Sequence, residues 1–124
     1  LGTSATLELA SSGALDLGAT QQAFAGLSGS GGSVTNGTAT ISGTLEVTVA
    51  SDGSVVPFYF SSVILSDGLN IVFKGGLPLN GAVLLEGGSV TANPATFTAP
   101  TGLSVRLNNN KLSVYRLGTL FILR

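Results

Sequence analysis

The sequence predicts an all-β protein, and three observations support this prediction. Apolar and polar residues alternate with period two through most of the chain, as they do in a strand with one buried face. No window of about ten residues has the apolar spacing of an amphipathic helix. Glycine accounts for 18 of the 124 residues, and many glycines follow Asn, Asp, Ser or Gly in turn signals. The spacing of these signals predicts roughly nine to eleven short strands in one domain over residues 1–124.

The first strands are predicted around three acidic residues, each placed between two aliphatic residues in L-E-L, L-D-L and L-E-V patterns. These acids are Glu8, Asp16 and Glu46. In a strand, the two aliphatic side chains share the buried face and the acid points to solvent. We therefore expect these carboxylates to be solvent-facing strand positions, and nothing in the pattern brings them together.

The segments between the strands are predicted to be tight turns. In Asn36-Gly37 and Asp67-Gly68, we expect glycine at positive φ, so that Gly37→Val or Gly68→Val costs about 1 kcal/mol or more. The glycine-rich run Gly26–Gly37 is not a phosphate-binding loop, because the segment after it has strand character and no lysine is nearby. We interpret the run as a structural corner.

The first part of the chain resembles a known repeat family. The pattern lies in Ala14–Gly18, in the glycine- and serine-rich run Gly26–Gly37 and in the strand Thr44–Val47. Together these segments resemble an autotransporter-associated β-strand repeat over about residues 5–50. The resemblance implies a right-handed parallel β-helix, that is, a β-solenoid, in a secreted or cell-surface protein of bacteria. The family carries no catalytic residues that could be transferred.

The second part of the chain departs from this pattern from Gly53 onward. We therefore divide the domain into a repeat-like part, residues 1–53, and a hydrophobic, strand-rich part or cap, residues 54–124. A β-sandwich of roughly nine to eleven short strands is the alternative fold. Here Phe58 and Phe60 are predicted to face the core and leave Tyr59 outside. A hairpin is predicted between Leu103–Leu107 and Lys111–Tyr115.

Composition excludes several chemistries. The chain has no histidine and no cysteine, which rules out imidazole-dependent triads, thiolate catalysis and the usual zinc sites. Of the remaining acids, Asp52 and Asp67 precede glycines and are interpreted as turn formers, and Glu86 lies at a strand end. We expect no enzyme activity, no cofactor and no metal site.

The charges are few but unevenly placed. Residues 1–86 hold all six acids and one base, Lys74, whereas residues 87–124 hold four bases and no acid. This asymmetry favours head-to-tail contact between copies. The low charge gives no attraction for nucleic acid, and no apolar run approaches the roughly 18 residues of a membrane-spanning helix. We therefore expect neither nucleic-acid binding nor membrane insertion.

The sequence favours a non-catalytic extracellular structural module, either a stalk or a self-assembling filament subunit. An adhesin-type module that binds glycans or proteins is the alternative. The chain ends in four large apolar residues that are predicted to mediate self-association: Leu120, Phe121, Ile122 and Leu123. Two partners for this strand remain open. It either completes the core of its own molecule or is donated to a neighbouring copy, which would give a homo-oligomer or a head-to-tail polymer.

Overall fold

A computed structural model describes residues 5–116, and this part of the chain is all-β, as predicted. Its ten strands are β1 (Thr6–Leu9), β2 (Ala14–Gly29), β3 (Ser33–Thr48), β4 (Phe58–Phe60), β5 (Val63–Leu65), β6 (Asn70–Lys74), β7 (Val83–Gly87), β8 (Val90–Thr91), β9 (Leu103–Asn108) and β10 (Lys111–Arg116). One turn of 3-10 helix, Pro94–Thr96, is the only helical element in these residues. The number of strands lies in the predicted range, but β2 and β3 are far longer than the short strands expected.

Strands β1 to β8 pair in parallel, in three ladders. We define each ladder by residues that lie opposite one another on successive strands. The first ladder passes through Ala14, Ser33, Tyr59 and Glu86. The second ladder passes through Gln22, Ala39, Val63 and Val90. The third ladder passes through Thr6, Gly26, Thr44, Asn70 and Thr98. The sheet formed in this way does not close on itself.

Strand β2 is long because it continues through a bend. Gly18 and Ala19 have φ of +64° and +59°, and the register with β3 shifts between Asp16 and Thr20. The bend carries β2 from the first ladder to the second without ending the strand. Alternation alone predicts a short strand that ends near Leu17. It misses the continuation of the strand because the left-handed backbone at Gly18 and Ala19 interrupts the two-residue period.

The two glycines predicted to lie in turns have the expected backbone, but only Gly68 lies in a turn. The turn prediction is wrong for Asn36-Gly37, because β3 continues through these residues. Gly37 has φ +154° and Gly68 has φ +77°, so the prediction of positive φ is confirmed at both. The two positions differ in their surroundings. A Cβ on Gly37 would lie 2.5 Å from the carbonyl oxygen of Thr20, whereas one on Gly68 would meet nothing within 4 Å. At Gly37 the backbone of β3 therefore lies too close to its partner strand β2 to leave room for a Cβ, which favours glycine.

The core lies on the inner side of the ladders. In the third ladder, Leu7, Leu27, Leu45 and Ile71 lie opposite one another on four successive strands, and all four are buried. Phe58 and Phe60 are fully buried, and the side chain of Tyr59 between them is 41% exposed. The alternation predicted for these three residues is confirmed. One cluster of buried residues extends from Leu7 to Val114.

The described chain ends in the predicted hairpin. β9 and β10 pair antiparallel, and the two residues between them, Asn109 and Asn110, have φ of +52° and +60°. Positive φ at both central residues is the requirement of a type I′ turn, which Asn tolerates. β10 also pairs antiparallel with β7, with Lys111 opposite Glu86. The hairpin therefore extends the first ladder with strands of the opposite direction.

Candidate functional site

Two of the predicted solvent-facing acids lie close together on the third ladder. Glu8 on β1 and Glu46 on β3 both lie opposite Ser28 on β2, so their backbones are two strand spacings apart, about 9.5 Å. The Ser28 hydroxyl lies 3.4 Å from Glu46 Oε1 and donates a hydrogen bond to it. These side chains line a shallow depression of about 310 Å³. Glu8 is exposed and Glu46 half-buried, so neither carboxylate lies in an enclosed site suited to acid–base catalysis.

Asp16 is not part of this group. It lies on the first ladder opposite Thr35, whereas Glu8 lies on the third. Its Oδ1 accepts hydrogen bonds from the backbone N–H of Gly18, at 2.7 Å, and from Asn36 Nδ2, at 2.9 Å. Both bonds favour the ionised carboxyl and lower the pKa of Asp16 below its usual value. These hydrogen bonds hold the bend of β2 at Gly18 and join it to Asn36 on β3, so the role of Asp16 is structural.

Asp52 has a comparable role in the loop between β3 and β4. Its Oδ1 accepts a hydrogen bond of 2.9 Å from the backbone N–H of Ser54. Hydrogen bonds from the side chain and the backbone of Ser54 lower the pKa of Asp52. The interpretation of Asp52 as a turn former is confirmed. Asp67 also lies in a turn, as predicted.

The glycine-rich run forms a corner between β2 and β3. Ser30 donates its backbone N–H to the carbonyl oxygen of Leu9 at 3.2 Å. A Cβ on Gly32 would lie 2.6 Å from the carbonyl oxygen of Ala10. The run leads into strand β3 and not into a helix, so no helix N-terminus is available for a phosphate. Closely packed backbone fills this corner.

A row of polar side chains with one tyrosine crosses the outer face of the first ladder. Its members are Ser33, Tyr59, Glu86, Lys111 and Asn108, in neighbouring positions on five strands. We call it the tyrosine row. The sequence predicted that Tyr59 is outside the core, but not that Glu86 and Lys111 are its neighbours along the row. An exposed aromatic ring beside polar groups is a surface that can stack on a sugar.

The two ends of the ladders carry opposite charge. Exposed Glu8 and Asp16 lie on the first two strands, whereas exposed Arg106, Lys111 and Arg116 lie on the final hairpin. The Arg106 guanidinium lies 4.8 Å from the centre of the Tyr115 ring, a cation–π contact on the outer face of the hairpin. Within residues 5–116, β1 pairs only with β2 and β9 only with β10. Each end therefore presents a strand edge with free backbone groups.

Two further observations on residues 5–116 concern metal binding and membrane insertion. No three His, Cys, Asp or Glu residues of residues 5–116 are close enough together to bind a metal ion. No helix in this range has the length and apolar character needed to cross a membrane. The predicted self-association residues Leu120, Phe121, Ile122 and Leu123 lie outside the described residues.

Comparisons of the chain with protein-family models, with curated proteins and with solved structures found no match. The resemblance of residues 5–50 to an autotransporter-associated repeat therefore stays a prediction.

Proposed function

We propose that this protein is a non-catalytic structural module of a bacterial surface protein, secreted or exposed outside the cell, whose copies associate head to tail. The observation that carries the proposal is that β1 and β9, the two strands at the ends of the pairing order within residues 5–116, each have one unpaired edge, with exposed acids near the first and exposed bases near the second. An edge strand is a template for pairing with another chain. Opposite charges at the two edges would steer the correct ends together.

We further propose that the three parallel ladders are the walls of a β-solenoid. The four stacked aliphatic residues of the third ladder support this architecture, because each strand layer repeats the buried side chain of the layer before it. The close backbone passage at Gly37 supports it as well. The alternative, a β-sandwich, is built from antiparallel strands, whereas β1 to β8 pair in parallel. A solenoid suits a stalk, because layers can be added along one axis.

The positions of the charges define the head-to-tail contact. The acidic end presents Glu8 on β1, and the basic end presents Arg106 on β9, which is the last strand of the first ladder. Both side chains are exposed. Backbone hydrogen bonds between two edges would supply affinity, and charge would select opposite ends over like ends.

Charge exchange tests this contact. We expect sedimentation velocity of the purified protein to show assembly that weakens at high salt. Glu8→Arg alone and Arg106→Glu alone should each reduce assembly by an order of magnitude or more in apparent affinity. An equimolar mixture of the two variants should restore it, because the two basic ends of one variant then match the two acidic ends of the other.

A matched control separates this effect from a change in net charge. Lys74 is an exposed base on β6, which pairs with β3 and belongs to neither of the two proposed contact strands, and Lys74→Glu should leave assembly unchanged. The proposal fails if the protein stays monomeric at all concentrations. It also fails if Lys74→Glu weakens assembly as much as Arg106→Glu does.

The tyrosine row favours the alternative function, a glycan-binding adhesin module. Tyr59 is the only aromatic residue among the large exposed apolar side chains of the described part, and Ser33 and Glu86 beside it offer hydrogen-bonding groups. Glycan-array binding that is lost in Tyr59→Ala and kept in Ile64→Ala would support this function. Ile64 is a suitable control because it is similarly exposed, at 40%, on the second ladder.

A further inference from the structure

The final hairpin carries two bases on its outer face. In the pairing of β9 with β10, Lys111 lies opposite Asn108, and Arg106 lies opposite Ser113, two residues farther along each strand. Lys111 and Arg106 are therefore diagonal neighbours, with about 7–8 Å between their backbones. Both side chains are exposed. We call these two residues the basic pair.

The guanidinium of the basic pair is positioned by an aromatic ring. The Arg106 guanidinium lies 4.8 Å from the centre of the Tyr115 ring on β10. A guanidinium in this contact keeps its charge and its in-plane N–H donors, which fit the two oxygens of a carboxylate. The contact also restricts the side chain, which reduces the entropy lost when a ligand binds. The hairpin therefore presents a positioned donor for an anionic group.

The part of the chain around the basic pair is positive on balance. Residues 87–116 contain three bases and no acid. Glu86, half-buried on β7, lies opposite Lys111 in the register of β7 with β10. It offsets one of the three bases, so this end of the first ladder keeps an excess of positive charge that attracts anions.

The basic pair adjoins the tyrosine row, of which Lys111 is a member. Tyr59 lies opposite Glu86, and Glu86 lies opposite Lys111. The backbones of Tyr59 and Lys111 are therefore two strand spacings apart, about 9.5 Å. A sugar unit of an extended polysaccharide is about as long as one strand spacing. A polysaccharide laid across the strands would place one sugar on the Tyr59 ring and the second sugar after it beside the basic pair.

We propose that this surface binds an acidic polysaccharide, with Tyr59 stacking on a sugar ring and the basic pair binding a sugar carboxylate. The proposal rests on the glycan-binding function of the tyrosine row and names its ligand class, a glycan that contains uronic acids. Glu86 and the exposed amide of Asn108 beside Lys111 offer hydrogen bonds to sugar hydroxyls. Charge complementarity selects the acid over a neutral sugar of the same shape.

Ligands that differ only in charge test the proposal. The probes are hexamers of galacturonic acid and of mannuronic acid, each as the free acid and as its methyl ester. In titration calorimetry at low salt, we expect the free acids to bind about fivefold more tightly than their esters. Lys111→Gln should remove most of this preference and leave the affinity for the esters unchanged. Tyr59→Ala should weaken binding of acids and esters alike by about tenfold.

A matched control separates the basic pair from net charge. Lys74→Gln removes an exposed base from β6 on the third ladder and should leave all affinities unchanged. Lys111 is a suitable test residue because β10 is paired on both sides, with β7 and with β9. It is therefore not part of the free strand edges of the head-to-tail contact, and sedimentation measures that contact separately.

Other outcomes overturn the proposal. Equal affinity for acids and esters, with both lost in Tyr59→Ala, would mean that the row binds glycans without selecting acids, so that only the glycan-binding function survives. Binding of none of the hexamers would refute both the ligand class and the glycan-binding function. If Lys74→Gln weakens binding of the acids as much as Lys111→Gln does, or if single-stranded DNA binds as tightly as the acids, the protein attracts polyanions by charge alone.

Discussion

The first and second parts of the chain both pass along the three ladders, but they divide these ladders into strands differently. β2 and β3 are sixteen residues long each and bend around their corners without ending. On the other side of β3, the path is divided among β4, β5 and β6, with three, three and five residues. All three pair in parallel with β3. The difference lies in the connections: β1–β2 and β2–β3 are joined by residues 10–13 and 30–32, whereas β3–β4 and β6–β7 are joined by the longer loops 49–57 and 75–82.

This comparison shows that sequence pattern and topology separate at about residue 50. The repeat-like pattern ends there, yet parallel pairing continues through β7, β8 and the bridge between Asn70 and Thr98. Parallel pairing is made by backbone groups, which any residue other than proline supplies. Short strands with larger loops can therefore extend a ladder that was begun by long, regular ones.

The largest effect should come from removing one aromatic ring from each part. Phe24 on β2 and Phe60 on β4 are both buried, at 1% and 0% exposed, in the same cluster. Phe24→Ala and Phe60→Ala should each lower the free energy of unfolding by about 3–5 kcal/mol. Chemical denaturation followed by circular dichroism should show a single transition for both variants. Two transitions, with Phe60→Ala shifting only one, would show that the parts fold separately.

A smaller effect should distinguish Gly37, where two strands are in close backbone contact, from Gly68, where a Cβ would have free space. At Gly37→Ala, both the backbone conformation and the contact with the Thr20 carbonyl are unfavourable, and we expect a loss of about 3 kcal/mol. At Gly68→Ala only the left-handed backbone is unfavourable, and we expect about 1 kcal/mol. Thermal melts compare the two. Equal losses would show that close backbone packing is not what requires Gly37.

The hairpin provides the next test. Asn110 Oδ1 accepts a hydrogen bond of 3.1 Å from the backbone N–H of Val90, and its Nδ2 lies 3.4 Å from the carbonyl oxygen of Gly88. Asn110→Gly keeps the positive φ and removes both bonds, so it should cost about 1 kcal/mol. Asn109→Gly is the matched control and should change stability by less than about 0.5 kcal/mol. A cost at residue 109 equal to that at residue 110 would show that the hydrogen bonds of Asn110 to Val90 and Gly88 do not stabilise the fold.

The smallest effect should be on the pH dependence of stability. Hydrogen bonds lower the pKa of Asp16 at the bend of β2 and of Asp52 in the loop between β3 and β4. A carboxyl with a lowered pKa in the folded state stabilises the fold above its unfolded pKa, about 3.9, and loses that contribution as the pH falls further. The free energy of unfolding should therefore decrease below about pH 4.

Single variants assign that decrease to its two sources. Asp16→Asn and Asp52→Asn should each flatten the acid limb of the pH profile, and the double variant should flatten it further. Both exchanges keep a side-chain oxygen that can accept the backbone hydrogen bond. If neither exchange changes the slope, these hydrogen bonds do not contribute to acid sensitivity.

Local sequence determined the elements that depend on neighbouring residues. Alternation identified the buried Phe58 and Phe60 and the outward Tyr59, because strand side chains point to opposite faces in turn. Two adjacent asparagines between apolar segments identified the β9–β10 hairpin, because Asn tolerates positive φ. Glycine after Asp67 identified a turn, and glycine after Asn36 identified a position of positive φ that lies inside β3 and not in a turn.

Only the tertiary structure decided which distant segments became neighbours. Glu8 and Glu46 flank Ser28, and Glu86 lies between Tyr59 and Lys111, because of the registers of β1 to β4, β7 and β10. Register is set by backbone hydrogen bonds and by the fit of buried side chains between layers. Many aliphatic residues fit a layer equally well, so no short motif records the partner of a strand. The same reason explains why the sequence left the partner of the strand around Leu120–Leu123 open.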